Sequence, residues 1–357
     1  MSVTIDEALN MEPFDLCQTQ KSEFLSEKLS DLTRFHYDHC NEYKKILNGL
    51  NFDPSTLCDY NNLPFIPVKL FKERELLSIP REQVFKLITS SGTSGVVSKI
   101  FLDKETASSQ QKVLVKIVSS FTGGNRLPMI ILDSPSVIKD RKMFSARGAG
   151  ILGFSIFGSE RIYAFNDDMS INTAAIEPFL EKYQHQNILL FGFTFIIWQH
   201  FYSELKKQNY RLDLSRGILI HGGGWKKFLD QAVSKNDFKE SLYDVCLIRK
   251  IYDYYGMVEQ TGTIYMQCDY GHLHASRFSD VIIRNSKNFN ECKVNEKGLI
   301  QVVSILPKSY PGHSILTEDE GVLLGIDDCS CGRKGKYFEV LGRIKNVEIR
   351  GCSDTYE

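Results

Sequence analysis

Nowhere in the 357 residues does an apolar run reach the length of a membrane span; the longest, such as Ile188 to Phe193, are strand-sized. An excess charge of one sign is missing too. The 43 basic residues stand interspersed with 44 acidic ones for a formal net charge of −1, which excludes steering toward nucleic acid or an anionic membrane surface. Met1-Ser2-Val3-Thr4-Ile5-Asp6-Glu7 has neither the basic nor the apolar segment of a secretion signal, so a cytoplasmic location is expected. The nine cysteines, an odd number in so long a chain, then favour free thiols, metal ligands or a catalytic thiol over a disulfide framework. What remains is a globular composition, with length for a large core and two or three structural units.

The most informative stretch is Thr89-Ser90-Ser91-Gly92-Thr93-Ser94-Gly95, with Lys99 four residues on. Apolar residues Phe85, Leu87 and Ile88 before it, and Ile100 to Leu102 after it, read as two strands, which makes it a loop at a strand end. Glycines let backbone N–H groups turn toward an anion, hydroxyls add donors, and a lysine adds charge, so the loop suits phosphates. An ordinary polar hairpin turn has the same composition. A Walker A loop is excluded, since it would need glycine at Val97 and a helix directly afterwards.

Upstream, apolar residues from Leu25 to Leu50 follow a helical period over 21–50, and the two prolines of Leu63-Pro64-Phe65-Ile66-Pro67 imply an extended connector without regular structure. Downstream, Asp103 caps a helix to about Phe121, followed by a buried strand at Leu127–Leu132. Helix 174–186, strand 187–191, helix 194–208 and strand 217–221 continue the alternation, so an α/β fold with a parallel or mixed sheet covered on both faces is expected. Ligands of such sheets sit at strand ends. One end is His221-Gly222-Gly223-Gly224-Trp225, which fits either close approach of a ligand to backbone or a loose turn. Another is Tyr255-Gly256-Met257-Val258-Glu259, whose carboxylate is either a magnesium ligand or a solvated glutamate.

From about Thr263 short apolar runs separated by Asn, Asp, Gly and Pro predict an antiparallel β subdomain, with Thr317-Glu318-Asp319-Glu320-Gly321 and Gly342-Arg343-Ile344-Lys345 in its turns. The pattern Cys268-x₃-His272-x-His274, joined by Cys329-x-Cys331, offers a structural zinc site of Cys268, His274, Cys329 and Cys331, with His272 able to replace His274. The other reading is small buried cysteines and surface histidines. Phe154, Phe157, Phe193, Phe195 and Trp198 read as plain core or as the lining of an acyl tunnel.

Four of these segments, in this order, resemble the adenylate-forming ligase superfamily: Ser90 to Gly95, Tyr255 to Glu259 for Y-G-x-T-E, Thr317-Glu318-Asp319 for T-G-D, and Gly342 to Asn346 for G-R-x-x-D. Leu63 to Pro67, Ser145-Ala146-Arg147-Gly148, His221 to Lys227 and Arg350-Gly351-Cys352-Ser353 look like the LuxE acyl-protein synthetases within it. The resemblance implies activation of a fatty acid by ATP and magnesium to an acyl-adenylate. Transfer to a protein thiol and delivery to an acyl-CoA or fatty-acid reductase, alongside an acyltransferase subunit, follow from the same likeness.

By that likeness Ser90, Ser91, Gly92, Thr93, Ser94 and Gly95 meet the β- and γ-phosphates, while Gly222, Gly223, Gly224, Tyr255 and Gly256 surround the nucleotide. Glu259 holds magnesium, Asp319 the ribose hydroxyls, Arg343 lies near the hinge, and Cys352 accepts the acyl group. Val258, Glu318 and Asn346 depart from the superfamily's Thr, Gly and Asp. A chain stopping at Glu357 has no room for the mobile C-terminal domain and its lysine, a feature shared with LuxE proteins, which leaves Lys99 and Arg343 as candidate cations.

The expected layout is an N-terminal helical region and connector (1–84), an α/β nucleotide- and acyl-binding region (85–262), the antiparallel subdomain (263–342), and a hinge remnant with the acyl-accepting tail (343–357). Two other functions compete. One is an aryl- or acyl-CoA ligase, which Cys329-x-Cys331-Gly332-Arg333 also resembles; the other is a non-catalytic acyl-carrier or docking subunit.

Overall fold

The computed structural model describes residues 4–90, 97–139, 146–225 and 232–344. Their strands are β1 (Ile66–Pro67), β2 (Lys86–Thr89), β3 (Lys99–Leu102), β4 (Leu127–Leu132), β5 (Gly158–Tyr163), β6 (Ile188–Phe193) and β7 (Gly217–Gly222). The second half adds β8 (Lys250–Tyr255), β9 (Tyr265–Gln267), β10 (Leu273–His274), β11 (Ser279–Arg284), β12 (Lys297–Ser304), β13 (Ser314–Ile326) and β14 (Lys336–Arg343). β2 and β3 pair as an antiparallel hairpin, and the rest join one twelve-stranded sheet. Its order is β11-β12-β13-β14-β10-β9-β8-β7-β6-β4-β5, with β1 parallel to β13.

The sheet has a parallel half and an antiparallel half. β4 to β8 run parallel, and β6 and β7 are buried at every residue, as continuous apolar runs require when both faces are covered. The cover includes helices Lys104–Thr122, Thr173–Lys182 and Lys235–Cys246, whose Val113, Ile117, Ile176, Phe179 and Leu242 share one core with Ile130, Leu190 and Leu219. Asp103 caps the first of these as expected, accepting from the Thr106 N–H at 2.7 Å, and Gly123 ends it with a positive φ (+88°) that favours glycine. β9 reverses against β8, and each neighbouring pair from there to β11 is antiparallel. The change of pattern near Thr263 therefore marks a change of strand direction within one sheet.

Three expectations need correction. Residues 21–50 are two helices, Gln18–His39 and Asn41–Gly49, because Cys40 adopts an extended conformation (φ −124°, ψ 103°) between them. The apolar period runs through the break since both helices bury their stripes, Leu25 and Leu29 in one, Tyr43 and Leu47 in the other. The proline connector does contain a regular element, β1, which tolerates Pro67 because it lies at the margin of the sheet. Thr317 to Gly321 is not a turn but the middle of β13, and Gly342-Arg343 is the end of β14. Charged residues there suggested a loop; bulges near Glu320 and Gly321 carry them within the strand instead.

A buried polar cluster ties the N-terminal helix to the antiparallel half. Lys21 Nζ lies 3.3 Å from Asp280 Oδ1, both side chains essentially inaccessible, while the Tyr60 hydroxyl and Gln18 Nε2 donate to Asp280 Oδ2 at 2.6 and 2.7 Å. Removing one partner strands the other charge away from water. Lys21→Met is thus expected to lower unfolding free energy by about 3–5 kcal/mol in a urea titration. A loss below about 1 kcal/mol would show that Lys336, also felt by Asp280, suffices alone. Among the described residues no helix is long and apolar enough to cross a membrane.

Candidate active site

Because β4, β6, β7 and β8 are parallel, their carboxyl ends share one edge of the sheet, the place where open α/β sheets bind ligands. β6 leads into a helical run, Thr194–Lys207, whose middle, Ile197–Tyr202, is a π-helix. Its Trp198 stacks on Tyr202 and Phe238 and meets Trp225 edge-on at 5.6 Å, bracing the glycine turn that Trp225 follows. At the end of β7 a Cβ on Gly222 would fall 2.7 Å from the Tyr254 ring, and Gly223 and Gly224 take positive φ (+82° and +57°). No other residue fits there without strain. His221 Nδ1 lies 3.0 Å from Thr194 Oγ1, and burial depresses its pKa to about 3, so the ring is neutral.

β8 delivers Tyr255 and Gly256 and then a single 3₁₀ turn, Val258–Gln260, that places Glu259 in the interior at 5% exposure. The Tyr255 hydroxyl donates to Asp319 Oδ2 at 2.7 Å. Burial, and then the Asp319 charge, push Tyr255 well above the usual phenol range, which keeps it a donor. Asp319 and Arg343 are cross-strand partners in β13 and β14, with Arg343 Nε 4.0 Å from Asp319 Oδ1 and Nη2 3.6 Å from Glu318. Three separate motifs thus meet at one point. Burial raises the Asp319 pKa, while Tyr255 and Arg343 oppose the rise.

The remaining predicted residues lie elsewhere or outside the described residues. Ser90 closes the base of its loop: Ser98 N–H donates to Ser90 Oγ at 2.9 Å, and Ser90 N–H to the Ser98 carbonyl at 3.2 Å. Lys99 is exposed at the start of β3, opposite Thr89. Ser91, Gly92, Thr93, Ser94, Gly95 and Cys352 lie outside the described residues, as do Ser145, Lys226 and Lys227. Phe154, Phe157 and Phe193 are buried in the main core, with Phe195 and Trp198 packed against it. Cys268, His274, Cys329 and Cys331, from two stretches remote in sequence, converge in the antiparallel half.

Two carboxylates at strand ends were missed. Asp133, directly after β4, is fully buried and paired with Arg147, whose Nε lies 3.0 Å from Oδ2 and whose Nη2 donates to Oδ1 at 3.1 Å. Asp253 lies in β8 with His221 Nδ1 3.8 Å away, and burial pushes it up to about 7. Both are aspartates closing or interrupting an apolar strand at its carboxyl end.

The sequence matches the family described as "Acyl-protein synthetase, LuxE" over residues 1–357. The chain belongs to the LuxE family. It is similar to the long-chain-fatty-acid–luciferin-component ligases of Vibrio harveyi (21% identical over 371 residues, 99% of this chain and 92% of that protein) and Aliivibrio fischeri (21% over 367 residues, 99% and 93%). In fold it is similar to crystal structures of a 2-hydroxyisobutyryl-CoA ligase. One holds the adenylate 2-HIB-AMP, with a TM-score of 0.70 at 13% identity over 93% of this chain and 69% of that one. Another, in the thioesterification state, gives 0.71 at 13% identity over 93% and 70%. As a LuxE protein the chain is an acyl-protein synthetase, an AMP-forming ligase built on the large domain of the adenylate-forming fold.

Proposed function

We propose that this LuxE protein activates a long-chain fatty acid with ATP and passes the acyl group to its own Cys352. In the first half-reaction a carboxylate oxygen of the acid attacks the α-phosphorus of ATP and pyrophosphate leaves. In the second the Cys352 thiolate attacks the acyl carbon and AMP leaves. The observation that carries this reading is the meeting of Tyr255, Asp319 and Arg343 beside the glycine turn. One Asp319 oxygen is engaged by Tyr255, so the carboxylate is held in place to accept ribose hydroxyls, and the positive φ of Gly223 and Gly224 exposes backbone to the nucleotide. Glu259, a buried hard oxygen donor, fits magnesium, which when bound offsets the repulsion between two anions. Arg343, at 62% exposure, and Lys99 are the cations offered for the charge on the α-phosphate. The thioester then passes to an acyl-CoA or fatty-acid reductase, with an acyltransferase supplying the acid, in the cytoplasm.

Pyrophosphate exchange into ATP that depends on added fatty acid tests the first half-reaction. Exchange absent across a series of chain lengths would favour a non-catalytic docking subunit, and release of acyl-CoA on adding CoA would favour a CoA ligase. Within the site, Tyr255→Phe removes only the hydroxyl that orients Asp319. It is expected to raise the KM for ATP about tenfold with kcat little changed, the scale of one hydrogen bond to a charged group. An unchanged KM would take Tyr255 and Asp319 away from the ribose.

A further inference from the structure

Four side chains from two separated stretches converge in the antiparallel half of the sheet. Cys268 follows β9 in a tight turn in which Gly271 (φ +83°) donates its N–H to the Cys268 carbonyl at 2.9 Å, and His274 ends β10. Cys329 and Cys331 lie on the loop between β13 and β14, where Gly332 (φ +82°) likewise donates to the Cys329 carbonyl at 2.9 Å. One ligand atom from each of the four residues falls within 4.8 Å of all the others. Cys268 Sγ and Cys329 Sγ are 4.0 Å apart, and Cys331 Sγ is 3.3 Å from His274 Nε2.

Those separations suit a tetrahedral centre. Thiolates at about 2.3 Å and an imidazole at about 2.0 Å from zinc stand roughly 3.5–3.8 Å from one another. A disulfide needs sulfurs at about 2.05 Å, so the cysteines are not bonded to each other as they stand. Cys268, His274 and Cys329 are buried and Cys331 is half-buried, the closed surroundings of a structural rather than a catalytic metal. We infer that Cys268, His274, Cys329 and Cys331 bind a structural zinc ion.

The loop that carries two of the ligands also holds the N-terminal segment. Asp327 accepts from the Gln18 N–H at 2.9 and 3.1 Å, which caps helix Gln18–His39, and accepts from the Gly335 N–H at 2.7 Å. Lys334 N–H donates to the Phe14 carbonyl at 2.8 Å, and the Arg333 guanidinium covers the rings of Phe121 at 4.1 Å and Phe14 at 5.6 Å. Fixing residues 329–331 to β9 and β10 through the metal fixes this clasp. Zinc loss should therefore loosen residues near Phe14 before the parallel half responds. His272 Nδ1, 3.3 Å from Cys329 Sγ, stands ready as a substitute imidazole, so His274→Ala weakens the site less than a cysteine change does.

The test uses the full chain, purified without a metal-affinity step and dialysed against a weak chelator. Elemental analysis should find about one zinc per chain, and Cys329→Ser should lose most of it, whereas Cys17→Ser, whose thiol is far along the sequence, should keep it. Cobalt exchanged into the wild type should give the visible absorption of a tetrahedral thiolate complex, which needs no variant to fold. A strong chelator should also speed chymotryptic cleavage after Phe14, in the segment the clasp holds. Wild-type protein with well under one zinc and no cobalt spectrum would overturn the assignment. So would zinc retained in both Cys329→Ser and Cys268→Ser.

Discussion

Replacing Glu259 with glutamine is expected to lower fatty-acid-dependent pyrophosphate exchange about a hundredfold, the scale on which loss of one preorganised group at a developing charge is felt. Glutamine has nearly the volume of glutamate, and the position belongs to a 3₁₀ turn set by the preceding strand, so the fold and the neighbouring Thr261–Gln110 hydrogen bond (2.7 Å) should survive. What changes is charge. A buried carboxylate is costly unless something positive meets it, and an amide oxygen is a much weaker ligand for magnesium. Partial recovery at raised magnesium concentration, with an unchanged urea midpoint, would locate the effect in metal binding. Near-normal exchange in Glu259→Gln at ordinary magnesium would remove the residue from the reaction.

The parallel half was legible because its signals are local. Continuous apolar runs such as Ile188 to Phe193 name buried strands, and Asp103 followed by a periodic stretch ended by Gly123 names a helix. The antiparallel half was legible in kind but not in connection. Thr317 to Gly321 reads as a turn, since charge and glycine interrupt the apolar pattern, yet the segment stays in β13 because its pairing with β14 outweighs local composition. That pairing sets Asp319 opposite Arg343, a contact no spacing in the sequence states. The break at Cys40 was hidden for a similar reason: the apolar stripe continues across two helices that both bury it, Leu25 and Leu29 in one core cluster and Tyr43 and Leu47 in another. Asp133 and Asp253 were passed over because single aspartates at strand ends are common, and only the buried Arg147 pair and the raised Asp253 pKa mark them out.

Cys352→Ser is expected to form acyl-adenylate at the normal rate and yet carry essentially no labelled fatty acid through denaturation, while the wild-type label is released by neutral hydroxylamine. Cys352 lies outside the described residues, so the argument is one of reach and reactivity. It stands nine positions after Arg343, the cross-strand partner of Asp319 at the end of β14. Nine residues extend at most about 30 Å, so Cys352 stays within about that distance of Arg343 by chain connection alone. A tether of that length holds it at an effective concentration on the order of millimolar, and transfer from the adenylate then needs no second substrate-binding domain. A thiol near its ordinary pKa is a few per cent thiolate at neutral pH. Serine has no comparable ionisation and forms an ester that survives hydroxylamine better, so the two chemistries separate in one gel. Described cysteines such as Cys246, whose thiol burial pushes up to about 12, are poor competitors. Hydroxylamine-sensitive label persisting in Cys352→Ser would assign the acyl group to another cysteine and break the link between this tail and the transfer step.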